Sequence, residues 1–187
     1  MPAGCLYVKS LDTGTISPRL RRMTAPDEVD RLVEAWQRER PELDVGPMRV
    51  LSRVTRLARH LDLARRQAFA AHDLETWEFD VLSSLRRSGP PYELSPGRLI
   101  RETMVTSGTM TNRVDRLTTK GLVARLPDPG DRRGVLVRLT DEGRRRVDAA
   151  LDGLLEQERR LLHELGTRDQ SALADLLRTV VAPFDAP

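Results

Sequence analysis

The spacing of apolar residues predicts three helices in the first half of the chain. The first follows a capping box formed by Thr24 and Asp27 and ends before Pro41. The second is long and covers residues 48–71, and the third covers residues 74–87. The apolar positions of these helices recur at intervals of three and four residues: Val29, Leu32, Val33, Trp36, Val50, Val54, Leu57, Leu61, Ala64, Ala68, Trp77, Val81, Leu82 and Leu85.

The middle of the chain predicts two short helices joined by a tight turn. Residues 92–94 favour a very short strand, and Ser95 is suited to cap a helix over residues 96–104. A second helix covers residues 107–120. Gly121 follows it as a C-terminal cap, because glycine adopts the left-handed conformation that ends many helices.

The apolar period changes from 3.6 to 2 after this helix, which indicates a β-hairpin. Residues 122–126 and 135–139 predict its two strands, and the polar segment 127–134 predicts the loop between them. Helix, turn, helix and hairpin in this order are typical of a winged helix-turn-helix. We therefore expect a mainly α fold with a small β-hairpin wing.

Two further helices are predicted after the hairpin. Thr140 caps the first, which ends at Gly166. Thr167 and Gln170 form the capping box of the second, and Pro183 terminates it. Leucine and valine stripes on both helices are suited to packing against other helices.

This pattern divides the chain into four segments. Residues 1–22 mix Gly, Pro, Ser and Thr without apolar periodicity, so we expect a disordered N-terminal extension. Residues 23–75 hold the N-terminal helices, and residues 76–140 hold the winged helix-turn-helix. Residues 141–187 hold the C-terminal helices.

Composition argues against several classes of protein. No apolar run approaches the length of a membrane span, and a single cysteine, Cys5, permits no internal disulfide, so a reducing cytoplasm is expected. The three histidines lie far apart without neighbouring thiols, so we expect no metal site and no cofactor. The sequence shows no nucleophile with a neighbouring base, so we do not expect the protein to be an enzyme. A redox sensor at Cys5 and a purely helical scaffold stay open as alternatives.

The net charge is unevenly distributed along the chain. The whole chain carries a net charge of +3. Residues 95–146 hold 12 Lys or Arg and 6 Asp or Glu, a net charge of +6, whereas the rest carries −3. A basic block of this kind predicts a nucleic-acid surface in the winged segment.

The helix over residues 107–120 has one face suited to DNA. Met110, Val114 and Leu117 share one side and are expected to face the core. Small and hydrogen-bonding side chains on the other side suit base edges and phosphates in the major groove. An ordinary amphipathic helix with a polar exterior is the alternative.

The hairpin loop adds a second DNA contact. Asp131 can pair with Arg133 and leave Arg132 to enter a minor groove, although a plain surface loop is the alternative. The predicted DNA-binding residues of helix and wing are Ser107, Gly108, Thr109, Thr111, Asn112, Arg116, Arg132 and Arg133, with Asp131 as a structural residue of the wing.

These residues resemble the MarR family of multiple-antibiotic-resistance regulators. The similarity is carried by residues 106–117, 120–123, 128–133 and 137–140, and it extends over about residues 48–182. The resemblance implies a winged-helix homodimer built by N- and C-terminal helices. It also implies a transcriptional repressor that binds a palindromic operator in double-stranded DNA and is released by a small molecule.

A narrower resemblance is to the urate-responsive branch of that family. It is carried by the extra N-terminal helix and by residues 77–82 and 89–95. It implies an effector site formed by Trp36, Asp80, Arg113 and Arg125.

The residues themselves support part of this assignment. Arg113 flanks the core side of its helix and Asp80 borders an apolar face, so an Asp80–Arg113 pair beneath the helix would suit an anionic planar ligand such as urate. Trp36 offers a stacking surface. The alternative is a plain buried ion pair with Trp36 as a core residue.

Overall fold

The structure is a computed structural model that describes residues 25–184, with every side chain in that range except those of residues 132 and 133. The described residues form seven α-helices and a three-stranded sheet, which confirms the mainly α fold with a small β wing. The predicted N-terminal extension and Cys5 lie outside the described residues. The elements are α1 (Glu28–Glu39), α2 (Gly46–Ala70), α3 (Thr76–Arg87), β1 (Glu93–Leu94), α4 (Pro96–Thr103), α5 (Ser107–Thr119), β2 (Val123–Asp128), β3 (Asp131–Leu139), α6 (Asp141–Leu162), α7 (Thr167–Val181) and a 3₁₀ turn (Ala182–Phe184).

The described residues divide into two compact units, residues 25–58 and 59–184. In the first unit, Val29, Val33 and Val45 form a small apolar cluster. Charge-assisted hydrogen bonds supplement it.

The N-cap of α1 lies one turn later than predicted. The carboxylate of Asp27 accepts from the backbone N–H of Asp30 at 2.9 Å, and the carboxylate of Asp30 accepts from the backbone N–H of Asp27 at 3.0 Å. Arg53 also donates to both carboxylates, at 2.9 and 2.8 Å. The capping box predicted for Thr24 and Asp27 is therefore wrong, because Asp27 has its partner within the helix.

The capping box predicted for α7 is also wrong. Gly166 is the N-cap and carries no capping side chain, and Thr167 is already helical. The amide of Gln170 instead donates to the carbonyl oxygens of Leu162 and Leu165, at 3.3 and 3.0 Å. Gln170 thus satisfies one carbonyl group at the end of α6 and one in the following turn, rather than capping the start of α7.

The second unit has a continuous apolar core. It joins α3, α5 and the sheet, and the rings of Phe69 and Phe79 stack within it with their centroids 4.0 Å apart. The sheet order is β1-β3-β2 with all pairs antiparallel. The fully buried residues of this core include Leu82, Leu85, Leu99, Met110, Leu117, Leu122 and Val137.

The hairpin loop is shorter than predicted. Strand β2 continues to Asp128 and β3 begins at Asp131, so the turn itself consists of Pro129 and Gly130. The polar segment 127–134 is therefore mostly strand. Apolar alternation underestimated both strands, because backbone pairing at an exposed hairpin tip does not require apolar side chains.

Gly143 packs against the end of the sheet, which generates a stability prediction. Thr140 caps α6 as predicted, since its hydroxyl accepts from the backbone N–H of Gly143 at 3.0 Å. A Cβ at Gly143 would lie 2.1 Å from the carbonyl oxygen of Leu122. We expect Gly143→Ala to lower the free energy of unfolding by about 2 kcal/mol in urea denaturation, because the backbone must shift.

Gly153, in the same helix, provides the matched control. Its nearest neighbours stand 3.8 and 3.9 Å from the position of a Cβ. Gly153→Ala should therefore raise the free energy of unfolding by roughly 1 kcal/mol, because alanine favours the helix. Equal effects of the two substitutions would contradict the close approach at Gly143.

Candidate nucleic-acid interface and adjoining cavity

Helix α5 presents the face that the sequence predicted. Its N-cap is Thr106, whose hydroxyl accepts from the backbone N–H of Thr109 at 3.3 Å. Met110, Val114 and Leu117 are buried, which confirms the predicted core side. The opposite side is exposed and includes Ser107, Gly108, Thr109, Thr111, Asn112, Asp115 and Arg116.

The wing begins immediately beside the hairpin turn. The carboxylate of Asp128 accepts from the backbone N–H of Gly130 at 2.8 Å and orders that turn. Arg132 and Arg133 belong to the first residues of β3 rather than to a loop tip. Their side chains, and the pairing predicted between Asp131 and Arg133, lie outside what the structure describes.

A cavity that is open to solvent adjoins α5 on the side of α3. Its volume is about 660 Å³, and it brings together two of the predicted effector residues, Asp80 and Arg113. Its walls combine cationic, acidic and aromatic groups. The lining residues are Asp62, Arg66, Ala70, Leu74, Glu75, Thr76, Trp77, Asp80 and Arg113.

Asp80 and Arg113 do not pair with each other as the sequence predicted. The carboxylate of Asp80 lies 3.5 Å from a guanidinium nitrogen of Arg65, whereas the guanidinium of Arg113 lies over the indole of Trp77, 5.5 Å from the ring centroid. The predicted Asp80–Arg113 pair is therefore wrong, because each group has a nearer partner. Asp80 is 42% exposed, so a plain buried ion pair is not formed either.

Trp77 and Glu75 form a network with α5 that the sequence analysis missed. The indole Nε1 donates to Glu75 at 2.7 Å, and Arg116 donates to the other carboxylate oxygen at 2.7 Å. The guanidinium of Arg116 also lies 4.7 Å from the ring centroid of Trp77. The indole hydrogen bond, followed by the charges of Arg116 and Lys120, holds the pKa of Glu75 below its usual value. Glu75 is therefore charged at neutral pH.

A second missed contact connects α3 to the end of α5. Glu78 is fully buried, and the Nζ of Lys120 lies 3.0 Å from its carboxylate. The same carboxylate accepts from the backbone N–H of Glu75 at 2.9 Å. An acidic residue between Trp77 and Phe79, both apolar, was the available sequence signal, because a charge on a core-facing position requires a partner.

The other two predicted effector residues, Arg125 and Trp36, do not line this cavity. Arg125 pairs with Asp115 at 2.6 Å and lines a separate hollow of about 200 Å³ that includes Met110 and Val135. Trp36 lies on α1 in the first unit with 46% of its surface exposed, so it is not a buried core residue there. Within the second unit, the structure thus brings together Asp80 and Arg113 but not Arg125.

Comparisons with known proteins agree with this geometry. A model described as the MarR family matches residues 72–134. The HTH-type transcriptional regulator PecS of Dickeya dadantii (strain 3937) is 38% identical over 153 residues, which cover 82% of this chain and 92% of PecS.

The chain belongs to the MarR family.

Solved structures of the family show the same fold. A mutant of MarR from E. coli complexed with operator DNA has a TM-score of 0.61 and 28% identity, over 74% of this chain and 99% of MarR. BpsR of Bordetella bronchiseptica, from a study of the regulation of its DNA binding by 6-hydroxynicotinic acid, has a TM-score of 0.60 and 27% identity, over 74% of this chain and 94% of BpsR.

Family membership establishes the class of protein. MarR-family regulators are DNA-binding proteins and not enzymes, so the predictions of a winged-helix DNA-binding regulator without enzyme activity are confirmed. The helical scaffold alternative is excluded. Within residues 25–184, no helix is long and apolar enough to cross a membrane. The same residues contain no group of three His, Cys, Asp or Glu side chains placed to hold a metal ion.

The Glu78–Lys120 contact predicts that substitutions of these two residues have coupled effects on the free energy of unfolding. Lys120→Met should lower the free energy of unfolding by about 2 kcal/mol, because it leaves a buried carboxylate without its cation. The loss stays below that of a fully enclosed pair, since the Lys120 side chain is 33% exposed. In the Lys120→Met/Glu78→Gln double variant, part of the stability should return. Additive losses in urea denaturation would contradict the coupling.

Proposed function

We propose that the protein is a ligand-responsive repressor that binds a palindromic operator as a homodimer and is released by a small anionic effector such as urate or a related purine. The observation that carries the proposal is the cavity beneath α5, whose wall includes Arg113 of that helix. A ligand that engages Arg113 acts directly on the element that reads DNA. We place this activity in the cytoplasm.

The proposed DNA contacts lie on α5 and the wing. Ser107, Gly108 and Thr109 stand at the N-terminus of α5, where the backbone N–H groups of Ser107 and Gly108 and the short side chains suit a phosphate. A Cβ at Gly108 would meet nothing within 4 Å, so this surface is open to a partner. Thr111, Asn112 and Arg116 would face base edges and the backbone, and Arg132 and Arg133 of the wing, with Asp131 as structural support, would reach the adjacent groove.

Unpartnered apolar side chains support the homodimer. Helix α7 buries none of its residues within the described chain, although it carries a leucine and valine stripe. A second copy of the chain would cover such surfaces, since exposed apolar stripes of this size mark interaction sites. The exposed apolar residues of the C-terminal segment are Leu151, Leu155, Leu161, Leu176, Leu177, Val180, Val181 and Phe184.

The proposed effector site takes a planar anion. Arg113 supplies positive charge, whereas the guanidinium of Arg66 is paired with Asp62. Trp77 supplies a ring face, and the carboxylate of Asp80 would repel an anion bound beside it. The ligand would bind Arg113, repel Asp80 and thereby move α5. BpsR, whose DNA binding is regulated by 6-hydroxynicotinic acid, is a precedent for a small heteroaromatic acid. We propose Trp36 and Arg125 as further effector residues.

The alternative of a redox sensor at Cys5 predicts that peroxide changes DNA binding through this thiol. A Cys5→Ser variant that keeps its full response to the effector, and that responds to peroxide as the wild type does, would exclude this thiol as the trigger.

Asn112 tests the orientation of α5 on DNA. Asn112→Ala should weaken operator binding by about 1–3 kcal/mol and leave binding to unrelated duplex nearly unchanged, because amide groups read base edges. Thr119→Ala, at the exposed far end of the same helix, is the control and should retain operator affinity. Fluorescence anisotropy at fixed salt measures both. An equal loss on operator and unrelated DNA would contradict base contact by Asn112.

Asp80 and Arg113 test the effector site. Urate should weaken operator binding of the wild type about tenfold or more, and Asp80→Ala or Arg113→Ala should reduce that effect to less than about threefold. Asp148→Ala is the matched control, because Asp148 also pairs with one arginine, Arg86, and is also 42% exposed, but it does not line the cavity. Operator affinity that stays constant across millimolar urate and xanthine would refute the effector proposal.

A further inference from the structure

Trp77 separates the proposed effector cavity from the outward face of α5. Two residues, Trp77 and Arg113, line both this cavity and a second hollow of about 380 Å³. The second hollow is formed with Gly108, Thr109 and Asn112, which belong to the proposed DNA-contacting face. Trp77 and Arg113 therefore lie between the two spaces.

The indole ring is held in one orientation by its own hydrogen bond. Its Nε1 donates to Glu75 at 2.7 Å, and Glu75 accepts from Arg116 at 2.7 Å. The guanidinium carbons of Arg113 and Arg116 lie 5.5 and 4.7 Å from the ring centroid. Residues three apart lie on neighbouring turns of a helix, so one ring supports two consecutive turns of α5.

The two arginines are held with different strength. Arg116 has both the ring and the Glu75 carboxylate, whereas the ring is the contact that the structure shows for Arg113. A cation–π contact at an exposed site changes an equilibrium about 2- to 5-fold. A charge-assisted hydrogen bond to an anion changes it about 10-fold or more. An anion in the cavity would therefore take Arg113 from the ring and leave Arg116 in place.

We propose that Trp77 is the positioning residue that couples the effector cavity to the DNA-contacting face, by holding Arg113 on its ring until an anion takes it. This inference rests on the proposed effector site. Glu75 supports it by fixing the indole, and the Glu78–Lys120 pair keeps the end of α5 in place while Arg113 changes partner. Trp77 itself contacts the arginines and need not contact DNA.

The test measures how strongly urate and operator DNA affect each other's binding. Urate affinity is titrated with and without operator, and operator affinity with and without urate, since both ratios must give the same coupling factor. In Trp77→Leu, the coupling factor should fall from about tenfold to less than about threefold. Urate should still bind the free variant through Arg113, with an affinity that the lost ring face lowers and the freed guanidinium raises, so the coupling factor and not the urate affinity carries the test. Trp77→Phe keeps a ring face and should retain an intermediate coupling factor.

Tyr92 provides a matched control for the loss of an aromatic ring. Its ring also has two arginines over it, Arg86 at 5.1 Å and Arg144 at 5.9 Å, but it lines neither hollow. Tyr92→Leu should therefore keep the coupling factor of the wild type. Thermal unfolding of each variant shows whether the fold is retained.

A spectroscopic measurement separates coupling from simple support. The chain has two tryptophans, so 5-fluorotryptophan labelling gives two fluorine resonances, and Trp36→Phe assigns them. Urate should shift the Trp77 resonance of the wild type, and Arg113→Ala should shift it without urate. A Trp77 resonance that is shifted neither by urate nor by Arg113→Ala would overturn the inference.

The outcomes distinguish the two proposals. If urate releases the wild type from operator and Trp77→Leu responds fully, the inference about Trp77 is wrong and the effector site stands. If urate does not bind the wild type at all, both are wrong.

Discussion

The position of the recognition helix, α5, depends on the first turn of α3. Three side chains at the start of α3 contact α5 and its C-cap: Glu75 contacts Arg116, Trp77 contacts Arg113 and Arg116, and Glu78 contacts Lys120. The last is anchored by a fully buried carboxylate, which is costly to leave unpaired. The others are partly exposed and therefore weaker. Helix α5 is thus fixed firmly at its C-terminal end and more loosely near Arg113.

This gradient of strength is what a ligand-responsive DNA-binding helix requires. A contact that is too strong would prevent a small molecule from shifting the equilibrium, because a ligand can shift it only by its differential affinity for the two states. Arg113 is held by a ring face beside a cavity, so a modest anion can compete for it. The buried apolar face of α5 meanwhile keeps the helix folded in either state.

Local pattern predicted much of the fold, and it predicted the side-chain partners poorly. The 3.6-residue period gave α5 and its buried face correctly, and the change to period 2 located the hairpin. The local pattern missed the Glu75–Arg116 ion pair and assigned the wrong partner to Asp80. The partners in these two pairs are separated by 41 and by 15 positions in the sequence, so the pairs depend on how helices pack and not on spacing along one helix. The caps of α1 and α7 failed for a related reason, since several polar residues near each terminus compete for one role.

The central claim is that Arg113 exchanges an aromatic partner for an anionic one. A crystal structure of the protein with urate tests it most directly. We predict that urate occupies the cavity lined by Asp80 and Trp77, with the guanidinium of Arg113 on the ligand and away from the indole centroid, from which it now lies 5.5 Å. Urate bound in that cavity with Arg113 still over Trp77, or urate bound only elsewhere on the chain, would contradict the claim.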